Sequence, residues 1–296
     1  MDVSIIIVNY NTKELTSQCI NSIYEKTYGV SFEVILVDNA STDGSREFFE
    51  RDIRITYIYN NENLGFGRSN NTGAKFAKGK YLFLLNSDTI LPMNAIGEFY
   101  AYMEKHLDIA SCGGNLIGCN GQNVSSHGNF PSLLEDFSNI GFSKLYPKYY
   151  RHNIAIAQTT DEGNIDDVKY ICGADIFIRK EIFEKFNGFD DDYFMYYEET
   201  DLYYRLYDTG YKSVILPNVN IIHLIGQSSN QNTPESRVNI PKFRMMFKSR
   251  ILFFKKNKPR YQTIFVRLFS LLSVMVRFYK YKSDLFKVAS IILYTR

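Results

Sequence analysis

Cysteine is scarce in this chain, four residues among 296, and glycine stands at only 18. So little cysteine excludes a disulfide scaffold, and so little glycine excludes a collagen-like rod. Cys19, Cys112, Cys119 and Cys172 lack any CxxC spacing, and the first residues lack a charged leader followed by an apolar signal run. Reduced thiols in a cytosolic protein are expected. His106, His127 and His152 have no metal-ligand spacing, so a zinc site is not expected, and His223 stands alone after an apolar segment. Short apolar runs near the C-terminus, such as Leu271–Leu272 and Val274–Val276, fall far below the roughly 20 residues of a membrane span. Internal repeats and low-complexity tracts are absent too, while a hydrophobic content of 45% excludes disorder of the whole chain.

Net charge is also small, at +2, but it is unevenly spread. Residues 241–296 hold 14 Lys or Arg and a single acid, Asp284, for a charge of +13. Residues 1–240 carry −11. An acidic globular domain over 1–240 and a basic tail over 241–296 are therefore expected.

Hydrophobic patterning in the body alternates between strand and helix. Val3 to Asn9 is a β-branched run suited to a strand buried on both faces. Thr12 is the expected N-cap of a helix carrying Leu15, Cys19, Ile20 and Ile23, and Phe32 to Val37 is a second buried strand ending at Asp38. The pattern repeats through Arg54 to Tyr59, a glycine-bearing helix start at Asn63 to Arg68, and a strand from Tyr81 to Leu85. Such alternation predicts an α/β fold with a mostly parallel sheet flanked by helices. From 115 to 167 a hairpin and irregular loops are expected. A second ordered block over Val168–His223 should hold a short strand (VKYIC), a helix near Arg179–Phe186, and short strands around Val214 and Ile221.

Ligands of such sheets sit beyond the carboxyl ends of the strands, and polar residues gather there. Asn86 and Asp88 form an Asn-x-Asp at one strand end, where a carboxylate can hold Mg²⁺ or Mn²⁺, or can merely turn the chain. Asp38 can accept a pyrimidine N3 hydrogen, and Asp43-Gly44-Ser45 reads as a turn and helix cap. Gly65, Gly67 and Arg68 suit close backbone approach and phosphate charge, but NENLGFGRSNN is neither a GxGxxG fingerprint nor a Walker loop. In YYEETDLYYR, Asp201 and Arg205 can pair as i and i+4. Glu198 and Glu199 either supply ordinary first-turn charge or, among Tyr193, Phe194, Tyr196 and Tyr197, include a general base with a raised pKa.

Taken in order, SIIIVNYN, VDNASTDGS, NENLGFGRSNN, LLNSDT, CGADIFIRKEIFEKFNGFDDDYFMYYEETDLYYRL and IIHLIGQSS resemble the inverting glycosyltransferases of family 2, with a GT-A fold, and in particular their rhamnosyltransferase-like branch. The resemblance implies transfer of a sugar, with rhamnose a candidate, from a nucleotide-diphosphate donor to a glycan or lipid-linked acceptor in surface polysaccharide synthesis. It implies that Asn9, Tyr10, Asn11 and Asp38 line the nucleotide pocket, with Asn63, Gly65 and Arg68 near ribose and diphosphate. Asn86-Ser87-Asp88 stands for the family's Asp-x-Asp, so Asp88 and His223 would hold a divalent cation. Glu199 would be the catalytic base and Glu198 its positioning neighbour. Gly173 and Ala174 would leave room for the donor sugar, and Asp191 and Asp192 would border the acceptor site. A sugar-nucleotide nucleotidyltransferase would need a basic glycine-rich N-terminal loop that SIIIVNYN does not supply, and a non-catalytic nucleotide-sugar binding module would show a broken acidic constellation.

The tail interleaves its basic residues with 12 aromatics, including Phe253, Phe254, Phe265, Phe269, Phe278 and Phe286. Amphipathic helices on an anionic membrane surface are expected, which would place the protein at the inner face of the cell membrane. A helical appendage packed on the body or on a second subunit, as in a homodimer, is the alternative. Nucleic acid is not an expected partner, because no recognition motif accompanies the basic residues and the body is acidic.

Overall fold

The computed structural model describes residues 1–148, 150, 165–224, 238–276 and 284–295. Among these described residues eleven strands are formed: β1 (Val3–Asn9), β2 (Phe32–Asp38), β3 (Ile55–Tyr59), β4 (Tyr81–Asn86), β5 (Thr89–Ile90), β6 (Ile109–Gly118), β7 (His127–Gly128), β8 (Ile165–Asp166), β9 (Tyr170–Ile171), β10 (Asp175–Arg179) and β11 (Lys212–His223). Nine of them make one sheet in the order β3-β2-β1-β4-β10-β6-β11-β5, with β8 paired to β11. The β3-β2-β1-β4 half is parallel, β10 runs antiparallel to both β4 and β6, and β11 is parallel to β6. This mixed, mostly parallel sheet between helices is the architecture that the alternating pattern predicts.

Side-chain alternation along β1 explains the buried run. Ile5 and Ile7 face a core with Cys19, Ile20 and Ile23 of the Lys13–Lys26 helix, while Ile6 faces the opposite core with Ala74 and Ala77. Each face of the pleat is thus covered by helix, and polar alternation along the strand would bury unpaired groups.

Not every sequence expectation holds unchanged. The strands expected separately at Val214 and Ile221 are one strand, β11, whose register shifts between Leu216 and Asn220. Pro217 lies in that interval and has no N–H for the ladder, so an irregularity replaces a break. Thr12 occupies the N-cap position without making a side-chain cap, because its hydroxyl is drawn to Asn9 Oδ1 at 2.8 Å. Asp43 caps instead, accepting Lys13 N at 2.9 Å and Ser45 N at 3.1 Å, as a turn-and-cap residue should. The expected hairpin after residue 115 is present, with Val124 N bonded to Leu116 O and a bridge between Ile117 and Asn123. Of the irregular loops expected up to residue 167, Leu133–Asn139 is instead an α-helix and Phe142–Leu145 a 3₁₀ turn, and residues 151–164 lie outside the described residues.

The tail forms the helices Ile240–Asn257, Arg260–Val276 and Leu285–Tyr294. They enclose a third core of Phe247, Ile251, Phe253, Phe254, Val266 and Ile292, and Tyr193 of the body belongs to it. The Arg260–Val276 helix also turns an apolar stripe outward: Ile264 is 69% exposed, Leu268 47% and Met275 67%. No helix among the described residues is long and apolar enough to cross a membrane.

Phe253 is fully buried and its ring meets those of Tyr197 and Tyr204 from the body. Phe253→Ala should cost about 3–5 kcal/mol, as expected of a buried phenylalanine. Chemical denaturation will test this, and an unchanged midpoint would show that the tail does not pack as described.

Candidate active site

Asn9 ends β1 and joins the strand ends together. Its amide donates to Asp38 Oδ2 at 3.2 Å and to Ser41 Oγ at 3.0 Å, while its carbonyl accepts from the hydroxyls of Thr12 and Thr16. Thr12 Oγ1 in turn lies 3.1 Å from Ser87 Oγ at the end of β4. Asp38 is fully buried and also accepts Ser41 N at 2.8 Å and the Tyr57 hydroxyl at 2.9 Å. An ionised carboxylate offers about four acceptor positions, so these three donors leave one to spare. Tyr10 and Asn11 stand at the exposed lip, and Asn11, in the left-handed region at φ 56°, accepts Thr42 N.

The second cluster lies where β4 turns into β5. Asn86 N bonds to Ala174 O, and Thr89 Oγ1 closes the turn on Asn86 O at 2.8 Å. Asp88 is thereby placed beside the last residue of β11, with its Oδ1 3.3 Å from His223 Nε2. Antiparallel pairing of His223 with Thr89 fixes the approach. A carboxylate oxygen and an imidazole nitrogen at this separation fit neighbouring corners of an octahedral cation, where ligands with bonds near about 2.1 Å stand about 3.0 Å apart. Among the described residues no three His, Cys, Asp or Glu side chains gather to cage a metal, so a cation here would need oxygens from a ligand to complete its shell.

The third cluster contains Glu198 and Glu199, which begin the Glu198–Asp208 helix. Tyr196 and Tyr197 just before them are both left-handed, at φ 67° and 70°, an uncommon conformation for aromatic residues. This turn delivers the acids inward. Glu198 is 4% exposed, and both carboxyls keep a buried Oε2 without a hydrogen-bond partner. Burial pushes the Glu198 pKa well above the carboxylate range, with the neighbouring Glu199 charge adding to the rise, and burial raises Glu199 as well. A Cβ added at Gly173 would lie 4.0 Å from Glu199 Cδ, so glycine brings bare backbone against the carboxyl. Ala174, by contrast, is buried with its side chain in the core.

Glycine also joins this cluster to the first. Gly65, at φ +85°, lies so close to Phe194 that an added Cβ would stand 1.9 Å from its carbonyl oxygen. Asn63 Oδ1 accepts Gly65 N at 2.9 Å, and Asn39 donates to Gly65 O at 3.2 Å. Arg68 is exposed and donates to Asp191 O at 2.7 Å, while the Asp191 carboxylate accepts from Asn71.

A family model described as Glycosyl transferase family 2 matches residues 4–186. The chain belongs to that family. Glycosyltransferase GlyG of Streptococcus pneumoniae is 32% identical over 133 residues, 43% of this chain and 42% of that protein. The low-salt glycan biosynthesis hexosyltransferase Agl10 of Haloferax volcanii is 27% identical over 208 residues, 69% of this chain and 61% of that one. An N-acetylglucosaminyl-diphospho-decaprenol L-rhamnosyltransferase of Mycobacterium tuberculosis is 24% identical over 211 residues, covering 67% and 68%. The matched stretch spans less than half of GlyG and of the Salmonella typhimurium abequosyltransferase RfbV, at 42% and 38% of their lengths. Among solved structures, Staphylococcus aureus TarS 1–349 in complex with UDP aligns with 99% of this chain and 90% of that one, at a TM-score of 0.55 and 14% identity. A mannosyltransferase from Pyrobaculum calidifontis, in complex with GDP-Man and Mn²⁺, covers 98% and 73% at a TM-score of 0.56 and 14% identity. The fold is GT-A.

In this family 2 member several site contacts come from residues that sequence reading passed over. Tyr57 and Ser41 tie down Asp38, and nothing local marks them. The basic tail supplies more: Lys256 Nζ reaches both Asp190 and Asp192, Asn257 donates to Asp201 Oδ1 at 2.8 Å, and Ser249 Oγ donates to Met195 O at 2.8 Å. The tail therefore braces the segment leading to Glu198. Asp201 also receives Arg205 Nε at 2.9 Å, the i and i+4 pair expected from the sequence. Within the CGADIFIR segment, Asp175 is fully buried, accepts Gly114 N at 2.6 Å and leaves its Oδ1 without a partner. Burial holds its pKa well above the ordinary value.

Because the Glu198 pKa is raised in the folded chain, the sign of its pH effect is fixed. Below the ordinary glutamate pKa of about 4.3, folded and unfolded chains are both protonated and the residue contributes nothing. As pH rises, the unfolded chain releases a proton that the folded chain retains, so Glu198 increasingly costs stability until its raised pKa is passed. Glu198→Gln should therefore raise the melting temperature near about pH 7 and leave it unchanged near about pH 4. Thermal unfolding across that range checks this; a pH-independent difference would remove the ionisation as its cause.

Proposed function

We propose that this family 2 enzyme is an inverting transferase that moves a sugar from a nucleoside diphosphate to a hydroxyl of a lipid-linked or glycan acceptor. The carrying observation is the Glu199 carboxyl, which is partly desolvated, keeps a buried unpartnered oxygen and faces bare backbone at Gly173. Such a carboxyl is a stronger base than one in water, and burial keeps water from competing for it. Glu199 takes the proton of the acceptor hydroxyl as that oxygen attacks the anomeric carbon from the face opposite the diphosphate. One displacement forms the new glycosidic bond, breaks the bond to phosphate and inverts the anomeric centre. Glu198 positions Glu199, and burial together with the Glu199 charge disfavours a second negative charge beside it.

The nucleotide lies over the ends of β1 and β2. Asp38 uses its remaining acceptor position for the base, Tyr10 and Asn11 form the lip, and Asn63, Gly65, Arg68, Asn86 and Ser87 border ribose and diphosphate. Asp88 and His223 would hold Mg²⁺ or Mn²⁺, which when bound neutralises charge on the departing diphosphate. Gly173 leaves space for the donor sugar, with Ala174 fixing the backbone beneath it, and Asp191 and Asp192 border the acceptor. Rhamnose as the sugar is supported by the name of the mycobacterial relative. Residues 1–240 form the transferase domain and 241–296 a tail that sits on the cytoplasmic face of a membrane, a reading supported by the outward stripe of Ile264, Leu268 and Met275 and by the tail charge of +13.

Glu199→Gln should lower transfer by about 10²–10⁴-fold, the usual contribution of a general base, and leave donor affinity nearly unchanged. Single-turnover assays with isothermal titration of donor will measure both; wild-type turnover would sink the base assignment. In a thermal-shift panel of dTDP-, UDP- and GDP-sugars, dTDP-rhamnose should stabilise the protein most in the presence of Mn²⁺. Asp88→Ala should abolish the Mn²⁺-dependent part of that shift, and an unaltered Mn²⁺ response would count against Asp88 as a ligand.

A further inference from the structure

The basic tail contains a cleft of about 740 Å³ between the Ile240–Asn257 and Leu285–Tyr294 helices, well separated in role from the nucleotide site. Ile240, Arg244 and Lys248 line one wall at successive turns of a single helix face, roughly 6 Å apart along the axis. Phe286, Lys287 and Tyr294 stand on the other wall. Arg244 and Lys248 are exposed and make no ion pair among the described residues. Lys287 reaches Asp284 only at 3.7 Å, and among the described residues no acid lines the cleft. Phe286 and Tyr294 are 87% and 78% exposed, which is costly hydrocarbon to leave in water beside three cations.

We propose that this cleft binds the phosphate end of a phosphate-bearing lipid, with its hydrocarbon lying along Phe286 and Tyr294. Three cations that repel one another are stabilised together by a multiply charged phosphate, and the aromatic wall adds what a free phosphate ion cannot use. The acidic body, at −11, disfavours a long polyanion such as nucleic acid extending beyond the cleft. Position along the helix supports an acceptor role. Lys248 adjoins Ser249, which bonds to Met195 O three residues before Glu198, so the helix that holds the phosphate also braces the catalytic turn. The inference rests on the reading of the acceptor as lipid-linked.

The test uses the full chain and vesicles of phosphatidylcholine, alone or doped with phosphatidic acid. Wild type should co-sediment with the doped vesicles and far less with the undoped ones. Combined Arg244→Glu, Lys248→Glu and Lys287→Glu should weaken binding by about 100-fold, at roughly fivefold for each cation near an anionic surface. The Mn²⁺-dependent thermal shift with nucleotide sugar should be the same in both proteins. That control checks folding and separates this proposal from the transferase reading, because it can hold when vesicle binding fails. Equal vesicle binding by the triple variant would overturn the proposal. Pyrophosphate competition with no effect of Phe286→Ser and Tyr294→Ser would reassign the cleft to a free phosphate ion. Binding of single-stranded DNA as tight as that of doped vesicles would reassign it to nucleic acid.

Discussion

Phe66 N–H donates to the carbonyl of Phe194, and through this bond the half of the molecule built on β1 to β4 meets the half that carries the acids. The approach is possible only because Gly65 has no Cβ. Around it the other restraints fall into place. Asn39 and Asn63 hold Gly65 from the sheet side, while Arg205 binds the Phe186 and Gly188 carbonyls from the helix side. Tyr196 and Tyr197 then take the left-handed turn that starts the helix at Glu198. A local conformation that costs free energy persists because its surroundings determine it several times over.

The same short stretch sets neighbouring acids to different tasks by changing their surroundings. Asp190 is partly desolvated, yet the Lys256 ammonium holds its pKa below the ordinary value. Glu198 and Glu199 have no cation beside them in the described structure, so burial pushes both up. Carboxyls of the first kind serve as fixed struts, and those of the second kind hold a proton more tightly than a carboxyl in water does. Which is which depends on what the third dimension brings alongside, since the side chains are nearly alike.

That distinction marks how far sequence alone could reach. The buried strands Val3–Asn9, Phe32–Asp38 and Tyr81–Asn86 are legible because covering both faces of a parallel sheet demands uninterrupted apolar residues. Asp88 beside His223 and Asp201 beside Arg205 are likewise legible, one from the family resemblance and one from helical spacing. Tyr57 on Asp38, Gly65 against Phe194 and Asn257 on Asp201 are not, because they join distant segments and no local periodicity records such meetings. Thr12 shows the competition directly: its local preference is to cap a helix, and a buried asparagine takes the hydroxyl first.

Charge divides the chain near residue 240, but packing does not respect that division. Tyr193 sits in the core of the tail, and Lys256, Asn257 and Ser249 each hold a residue of the segment from Asp190 to Asp201. The two parts are therefore not interchangeable modules. A chimaera that exchanged the tail between relatives would strand its cations and its aromatic core opposite unmatched partners. A substitution on one side of these contacts should therefore need a compensating one on the other.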